Sequence, residues 1–110
     1  MKKELLIIKK EKNIKNLVFV VGIQNNKDIS AMLKIINPLV SAVIFTKSGN
    51  EKAANPRELM KIFNLINKNN KKIMKMITNP RKALKSAKKI TGKNDLAVVA
   101  GSLYLIGEVI

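Results

Sequence analysis

Short apolar runs alternate along the chain with segments whose apolar residues recur every three or four positions. The runs are rich in β-branched residues and are bounded by polar clusters, a pattern typical of buried parallel strands. Four such strands are predicted, at residues 16–23, 41–48, 72–78 and 95–102. Lys75 interrupts the third run, so we place that strand nearer an edge of the sheet.

Three segments between these strands have apolar residues at the spacing of a helix buried on one side. The first lies between Ile29 and Ile36. Either Asn26 or Asp28 can cap it, because a short side-chain oxygen accepts hydrogen bonds from the free amides of the first turn. Pro38 follows, and the helix can end on either side of it.

The second and third helices each open with an asparagine cap and a proline at the first helical position, where the missing amide costs nothing. These pairs are Asn55-Pro56 and Asn79-Pro80. Glu58 stands three residues after the first of these caps, as in a capping box. The inward-facing residues are predicted to be Leu59, Ile62, Phe63 and Ile66 in one helix and Ala83, Leu84, Ala87 and Ile90 in the other.

Strands separated by helix-length segments predict right-handed crossovers and a parallel sheet. We therefore expect one α/β domain over residues 1–110, with a three-layer, Rossmann-like, mostly parallel sheet and helices on both faces. The length suits a single domain with its own core. The first fifteen residues are left open, because the spacing of Leu5, Ile8 and Ile14 fits either a strand and turn or the end of a helix.

Composition excludes several kinds of site. The chain has no cysteine and no histidine. It therefore lacks disulfides, thiolate metal sites, and the commonest general base and metal ligand. An enzyme built from the remaining acids, lysines and single tyrosine would be unusual, and we assign no catalytic residue and no metal ligand to this chain.

The net charge of +15 raises a different hypothesis, a small lysine-rich nucleic-acid-binding α/β module. We favour a solvated lysine surface instead. The chain has 20 lysines, which are scattered along its whole length, and only two arginines, Arg57 and Arg81. The guanidinium of arginine is the group that forms paired hydrogen bonds with phosphates and guanines. Aromatic residues that could stack on bases are also few. Nucleic acid is therefore not expected as a partner.

No stretch of the sequence resembles a targeting signal or a membrane span. The first apolar stretch is only four residues long before Lys9, too short for a signal peptide. The longest one starts at Leu96 and is broken by Ser102 and Glu108, whereas a span needs about 18 apolar residues. We expect a cytoplasmic protein with no membrane partner.

Gly101 and Ser102 lie at the carboxyl end of the last predicted strand, where ligands bind in open α/β sheets. The stretch SLYLIGEVI (102–110) is predicted to start another helix, whose free amides and dipole would favour an anion in that crevice. Gly101 lets a ligand approach the backbone, and the Ser102 hydroxyl can donate to a carboxylate. The simpler interpretation is that Ser102 only caps the helix and Gly101 only makes the turn, and from these residues alone it is the one we favour.

Lys27 and Asp28 follow the first predicted strand, at the same end of the sheet. Lys27 could neutralise a phosphate, while Asp28 could cap the next helix or orient Lys27. Taken in isolation, a solvated lysine and a capping aspartate are again the favoured interpretation.

Four stretches together resemble a known family. "VVAGSLYLIGEV" (98–109) is very similar to the closing motif of folylpolyglutamate synthases and bifunctional dihydrofolate synthases, typically T-G-S-L-Y-L-V-G-E-V. Residues 17–48 resemble their strand-loop-helix-strand section, with its G-x-x-x-D-K-D loop. "EKAANPREL" (51–59) is similar to P-R-A-x-x-P-E-E-L, and residues 79–96 to a D-P-x-x-A-L-x-x-A segment. Residues 17–110 thus look like the C-terminal domain of a Mur-ligase-like enzyme.

This resemblance implies a function. The family activates a folate carboxylate with ATP and magnesium as an acyl phosphate, which the amine of L-glutamate attacks. The C-terminal domain closes over an N-terminal ATPase domain and helps to hold the glutamate. By position, Ser102 matches the serine that contacts glutamate, with Gly101 beside it. Lys27 and Asp28 match the lysine and second aspartate of the Asp-Lys-Asp loop, close to the nucleotide phosphates.

Some family features are missing from the sequence. Asn26 stands where the loop's first aspartate is usual, and Lys52 where an arginine is usual. The Asp-Gly-Ala-His-Asn motif is absent, as is the ATPase domain with its phosphate loop. We therefore expect a fragment, a split-gene product or a degenerate relative that binds no cofactor and is inactive alone. Residues 1–16 are then expected to be the remnant of the helix that follows the missing motif.

Overall fold

The computed structural model describes residues 5–7, 16–25, 28–49, 51–67, 72–92 and 95–101. Five strands, three α-helices and one 3₁₀ turn are found there. In chain order they are β1 (Leu5–Ile7), β2 (Asn16–Gly22), α1 (Ile29–Ile36), a 3₁₀ turn (Asn37–Leu39), β3 (Ala42–Phe45), α2 (Pro56–Ile66), β4 (Ile73–Met76), α3 (Pro80–Ile90) and β5 (Asp95–Gly101).

The strands form one sheet in the order β1-β5-β2-β3-β4. Strands β5, β2, β3 and β4 are parallel, and β1 pairs antiparallel with β5. From β2 the chain moves outward through β3 to β4, then returns to place β5 on the other side of β2. The strand order therefore reverses between β2 and β5.

Alternate residues of the strands point to opposite faces and build two cores. On one face, Phe19 and Val21 pack with Leu33 of α1 and Phe63 of α2. On the other face, Val18 and Val20 pack with alanines and a leucine of α3. The predicted three-layer, mostly parallel fold with helices on both faces is confirmed.

The caps and buried stripes follow the sequence pattern. The Asp28 side chain accepts from the Ala31 amide and caps α1, and the 3₁₀ turn carries the chain through Pro38. Asn55 and Asn79 cap α2 and α3, with proline at the first helical position of each. The predicted inward residues of α2 and α3 are buried, except that Ile62, Ile66 and Ile90 are partly exposed.

The N-terminal segment is a correction to the sequence analysis. The family resemblance implied a helix remnant over residues 1–16, but Leu5–Ile7 form strand β1, the alternative that the residue spacing had left open. Their register partners in β5 are Val98, Val99 and Ala100. The reason is the backbone of β5, whose outer hydrogen-bonding groups would otherwise have no strand partner on that side. The helical expectation is wrong for these three residues.

Candidate functional site

The last residues of β2 and β5 lie side by side at the carboxyl end of the sheet, the end formed by Gly22, Phe45, Met76 and Gly101. Gly22 and Gly101 are register partners. In open α/β sheets the crevice beyond the carboxyl ends, at the point where strand order reverses, is where ligands bind. The structure therefore brings the ends of the two strands that precede the predicted site residues together.

Two of the four predicted site residues, Gly101 and Asp28, lie within the described chain. Lys27 and Ser102 lie outside the described residues, and so does the helix predicted to begin at Ser102. The placement of Lys27 beside Ser102 thus stays a prediction.

Asp28 sits at the N-terminus of α1, directly beyond the loop that follows β2. Its Oδ1 accepts from the Ala31 amide at 3.1 Å, and its carbonyl accepts from the Met32 amide at 3.1 Å. These bonds fix the carboxylate on the first turn of the helix, as the simpler interpretation of this residue expected. Its role near a phosphate stays a prediction.

The loop after β2 is held by the segment that precedes α2. The Asn25 amide donates to the Lys52 carbonyl at 2.7 Å, and the Ala54 amide donates to the Ile23 carbonyl at 2.8 Å. Gln24 and Ala53 form an isolated antiparallel bridge between these two bonds. Lys52 contributes this bond through its backbone, so the contact does not depend on the arginine that the family motif usually has here.

Thr46 joins three strand ends at the same end of the sheet. Its side chain is fully buried, its amide donates to the Val21 carbonyl at 2.9 Å, and its hydroxyl donates to the Thr78 carbonyl at 2.8 Å. It therefore ties the end of β3 both to β2 and to the segment before α3. Sequence reasoning missed Thr46 and the loop bridge. The signal for Thr46 was a hydroxyl directly after a four-residue apolar strand.

The described residues do not fit a metal site. No group of three His, Cys, Asp or Glu side chains comes together in the described ranges as metal ligands would. Nor is any helix in those ranges long and apolar enough to cross a membrane.

The family model for the C-terminal domain of dihydrofolate synthetase matches residues 3–110. This chain belongs to that family. The resemblance found at the four motifs is therefore confirmed, and the match extends into the N-terminal residues that the motifs left uncovered. Curated proteins gave no match to the domain.

Solved folylpolyglutamate synthases share the fold of the domain. A Mycobacterium tuberculosis synthase complexed with ADP and AMPPCP matches 87% of this chain with a TM-score of 0.70 and 17% identity. The same synthase complexed with ADP matches 71% with a TM-score of 0.63 and 20% identity. A Thermotoga maritima synthase matches 86% with a TM-score of 0.68 and 24% identity. The domain spans 17–23% of the length of these chains.

The nucleic-acid hypothesis gains no support from these comparisons, because the family model and the solved structures all describe folate synthases. The described surface argues in the same direction. Phe19, Phe45 and Phe63 are all buried, so no phenylalanine is available on the described surface for stacking on bases.

Proposed function

We propose that this domain acts in an ATP-dependent ligase that joins L-glutamate to a folate carboxylate, giving a folate that carries a chain of glutamates. The observation that carries the proposal is family membership over residues 3–110. The register pair Gly22–Gly101 supports it, because the two strands on which the candidate residues depend end side by side.

Each candidate residue has a stated role in this proposal. The Ser102 hydroxyl donates to a carboxylate of the incoming glutamate, while Gly101 leaves room for the ligand to approach the backbone. Lys27 offsets negative charge on a phosphate, and Asp28 orients that lysine while it caps α1. All four residues bind or position the substrates.

ATP and magnesium belong, in this proposal, to an N-terminal ATPase domain that works with this one. The solved Mycobacterium synthases hold ADP or AMPPCP, and the described residues of this chain do not group into a magnesium site. The supply of ATP chemistry by another domain is consistent with both observations. Like the cytoplasmic location, it stays a proposal.

The isolated chain is expected neither to hydrolyse ATP nor to ligate glutamate. Phosphoryl transfer needs preorganised positive charge around the transferring group. This sequence has neither a phosphate loop nor a histidine. An ATPase assay on the purified protein checks this expectation, and activity that follows the protein through successive purification steps contradicts it.

A titration of the isolated domain with L-glutamate tests the site directly by backbone NMR. We expect shifts at the amides of Gly22, Gly101 and Asp28. The amides of Asn16 and Asp95, at the other end of the sheet, serve as internal controls and should stay unchanged. L-alanine, which lacks the side-chain carboxylate, is the ligand control. Shifts confined to the control residues, or equal shifts with L-alanine, contradict the proposal.

Ser102→Ala tests the glutamate contact in the ligase reconstituted with an ATPase domain. Losing a hydrogen bond to a charged carboxylate costs about 1.5–3 kcal/mol, or roughly a tenfold or larger rise in KM for glutamate. The KM for ATP should not change. Ser86→Ala, in the middle of α3, is the matched control. An unchanged KM for glutamate would reduce Ser102 to a helix cap.

A further inference from the structure

The solvent face of α3 carries only positive charge. Its exposed side chains include Arg81, Lys82, Lys85, Lys88 and Lys89, and the helix has no acidic residue. At about 100° per residue, Lys82, Lys85 and Lys89 fall within an arc of about 60°. This arc lies opposite the buried face of the helix, which Ala83, Leu84 and Ala87 form. We call these three lysines the α3 stripe.

The cations of α3 destabilise the isolated helix in two ways. Lys85 lies three or four residues from Lys82, Lys88 and Lys89, and like charges at these spacings repel. Arg81 and Lys82 also stand in the first turn, where the helix dipole disfavours cations, whereas it favours Lys88 and Lys89 in the last turn. A bound polyanion would relieve both costs.

The helices on the opposite face of the sheet lack this pattern. Together α1 and α2 carry three cations, Lys34, Arg57 and Lys61, and Glu58 lies three residues from Lys61. The concentration of charge on α3 is therefore a local feature, in addition to the lysine-rich composition of the whole chain.

The α3 stripe runs away from the candidate site. The helix begins at the carboxyl end of the sheet, where the Thr46 hydroxyl donates to Thr78 just before the Asn79 cap. It ends near the amino end, where the Gly92 amide donates to the Asp95 carboxylate at 2.8 Å. Lys82 and Lys89 are about 10 Å apart along the helix axis.

We propose that the α3 stripe binds the row of carboxylates on a chain of linked glutamates. The inference rests on the proposed function, which supplies such a chain as product. A glutamate chain carries one carboxylate per residue, so several exposed lysines engage it at once and their weak contacts add. Lysine suits this ligand, because its flexible ammonium group pairs with a carboxylate without the fixed two-pronged geometry of a guanidinium. Nucleic acid is the poorer fit, since all three phenylalanines are buried and cannot stack on bases.

Binding of fluorescein-labelled pentaglutamate to the 110-residue chain, followed by anisotropy at low and at physiological salt, tests the inference. Replacing Lys82, Lys85 and Lys89 by glutamine should weaken binding about tenfold or more. The matched control replaces Lys34, Arg57 and Lys61 by glutamine, removes the same charge from the other face, and should weaken binding less than about twofold. Labelled oligothymidylate of equal charge is the competing ligand.

Each outcome decides the matter. Equal losses in the two triple variants, or no binding of pentaglutamate at low salt, overturn the inference. Oligothymidylate binding that is at least as tight and equally dependent on α3 overturns it in favour of a nucleic-acid surface. Glutamine is a good helix former, and thermal melts should show the α3 variant to be no less stable than the parent. Lys85→Gln alone serves as the second variant and should give a smaller loss in the same direction.

Failure here is distinguishable from failure of the proposed function. The L-glutamate titration reads out Gly22 and Gly101, which the α3 substitutions do not touch. Shifts there without pentaglutamate binding leave the function standing and remove the role of α3. Pentaglutamate binding without those shifts counts against the glutamate site instead.

Discussion

Both ends of the parallel sheet carry backbone hydrogen bonds, and they differ in the side-chain contacts added to these bonds. At the amino end, side chains bond to side chains: Asn16 donates to Asp95 at 3.0 Å, and Ser41 donates to Asn16 at 2.9 Å. At the carboxyl end, backbone bonds such as Asn25 to Lys52 at 2.7 Å join the loops, and the Thr46 hydroxyl donates to a backbone carbonyl, not to another side chain. A network of side chains fixes which residues can stand there, whereas backbone bonds leave the side chains open to selection for another purpose.

This difference means that a side chain at the carboxyl end can change without loss of the bond that its backbone makes. Lys52 stands where the family usually has an arginine, and its carbonyl still holds the loop after β2. The amino end has no such freedom, because Asp95 accepts from both Asn16 and the Gly92 amide through its two carboxylate oxygens. We therefore expect substitutions at the amino end to act on stability, and those at the carboxyl end to act on ligands.

The largest effect on stability is expected from Asp95→Ala. It removes the acceptor of two hydrogen bonds, and bonds to charged groups contribute about 1.5–3 kcal/mol each. Asp95 is half-buried, so water replaces part of that contribution, and we expect a loss of about 2 kcal/mol in the free energy of unfolding. Asp95→Asn keeps one acceptor and should lose less. Urea unfolding measures both, and a loss smaller than that of Asp28→Ala would break the comparison.

A smaller effect is expected from Asp28→Ala, which removes the cap of α1 and should cost about 1 kcal/mol. Asp28→Asn should cost almost nothing, because asparagine caps as well as aspartate. Asn79→Ala, the cap of α3, is the matched control. If Asp28→Asn keeps the stability but changes ligand-induced shifts, the carboxylate has a role beyond capping. If it changes neither, Asp28 is a cap alone.

The smallest effect concerns Lys72, which joins the amino end of β4 to the end of α1 by donating to the Asn37 carbonyl. Burial lowers the pKa of Lys72 below its ordinary value of 10.5. The unfolded chain then binds more protons than the folded one between the lowered pKa and 10.5. Stability should therefore rise with pH in that window. Relative to Lys72→Met, the parent protein should gain stability there, and a flat or falling difference across urea titrations would contradict the sign.

Sequence patterns predicted most of the fold because its main elements are local. β-Branched runs marked β2, β3 and β5, and the two Asn-Pro starts marked α2 and α3 at the correct residue. The sequence could not decide between a strand and a helix at β1, since three residues carry too short a pattern and form a strand only through β5, more than 90 residues away. Strand order could not be predicted from the sequence either, because it depends on pairing between segments that are remote in sequence.

The candidate site could be predicted in outline only. Gly101 was selected because it lies at the end of a strand and Asp28 because it follows one, and both inferences depend on local pattern. The bridge from Gln24 to Ala53 and the hydroxyl bond from Thr46 to Thr78 join segments that are remote in sequence. No periodicity encodes such contacts, so only the assembled fold could reveal what holds the loops in place.

The position of β5 inside the sheet has a consequence for how the chain is made. β5 lies between β1 and β2, yet it is the last described strand to be synthesised. Until it emerges, β1 has no partner and β2 exposes one open side, so the nascent domain holds only the β2-β3-β4 part of its sheet. Contacts as remote as Asn16 with Asp95 form late and slow folding. Synthesis that stalls before residue 95 should therefore leave a chain that is prone to aggregation and sensitive to proteases.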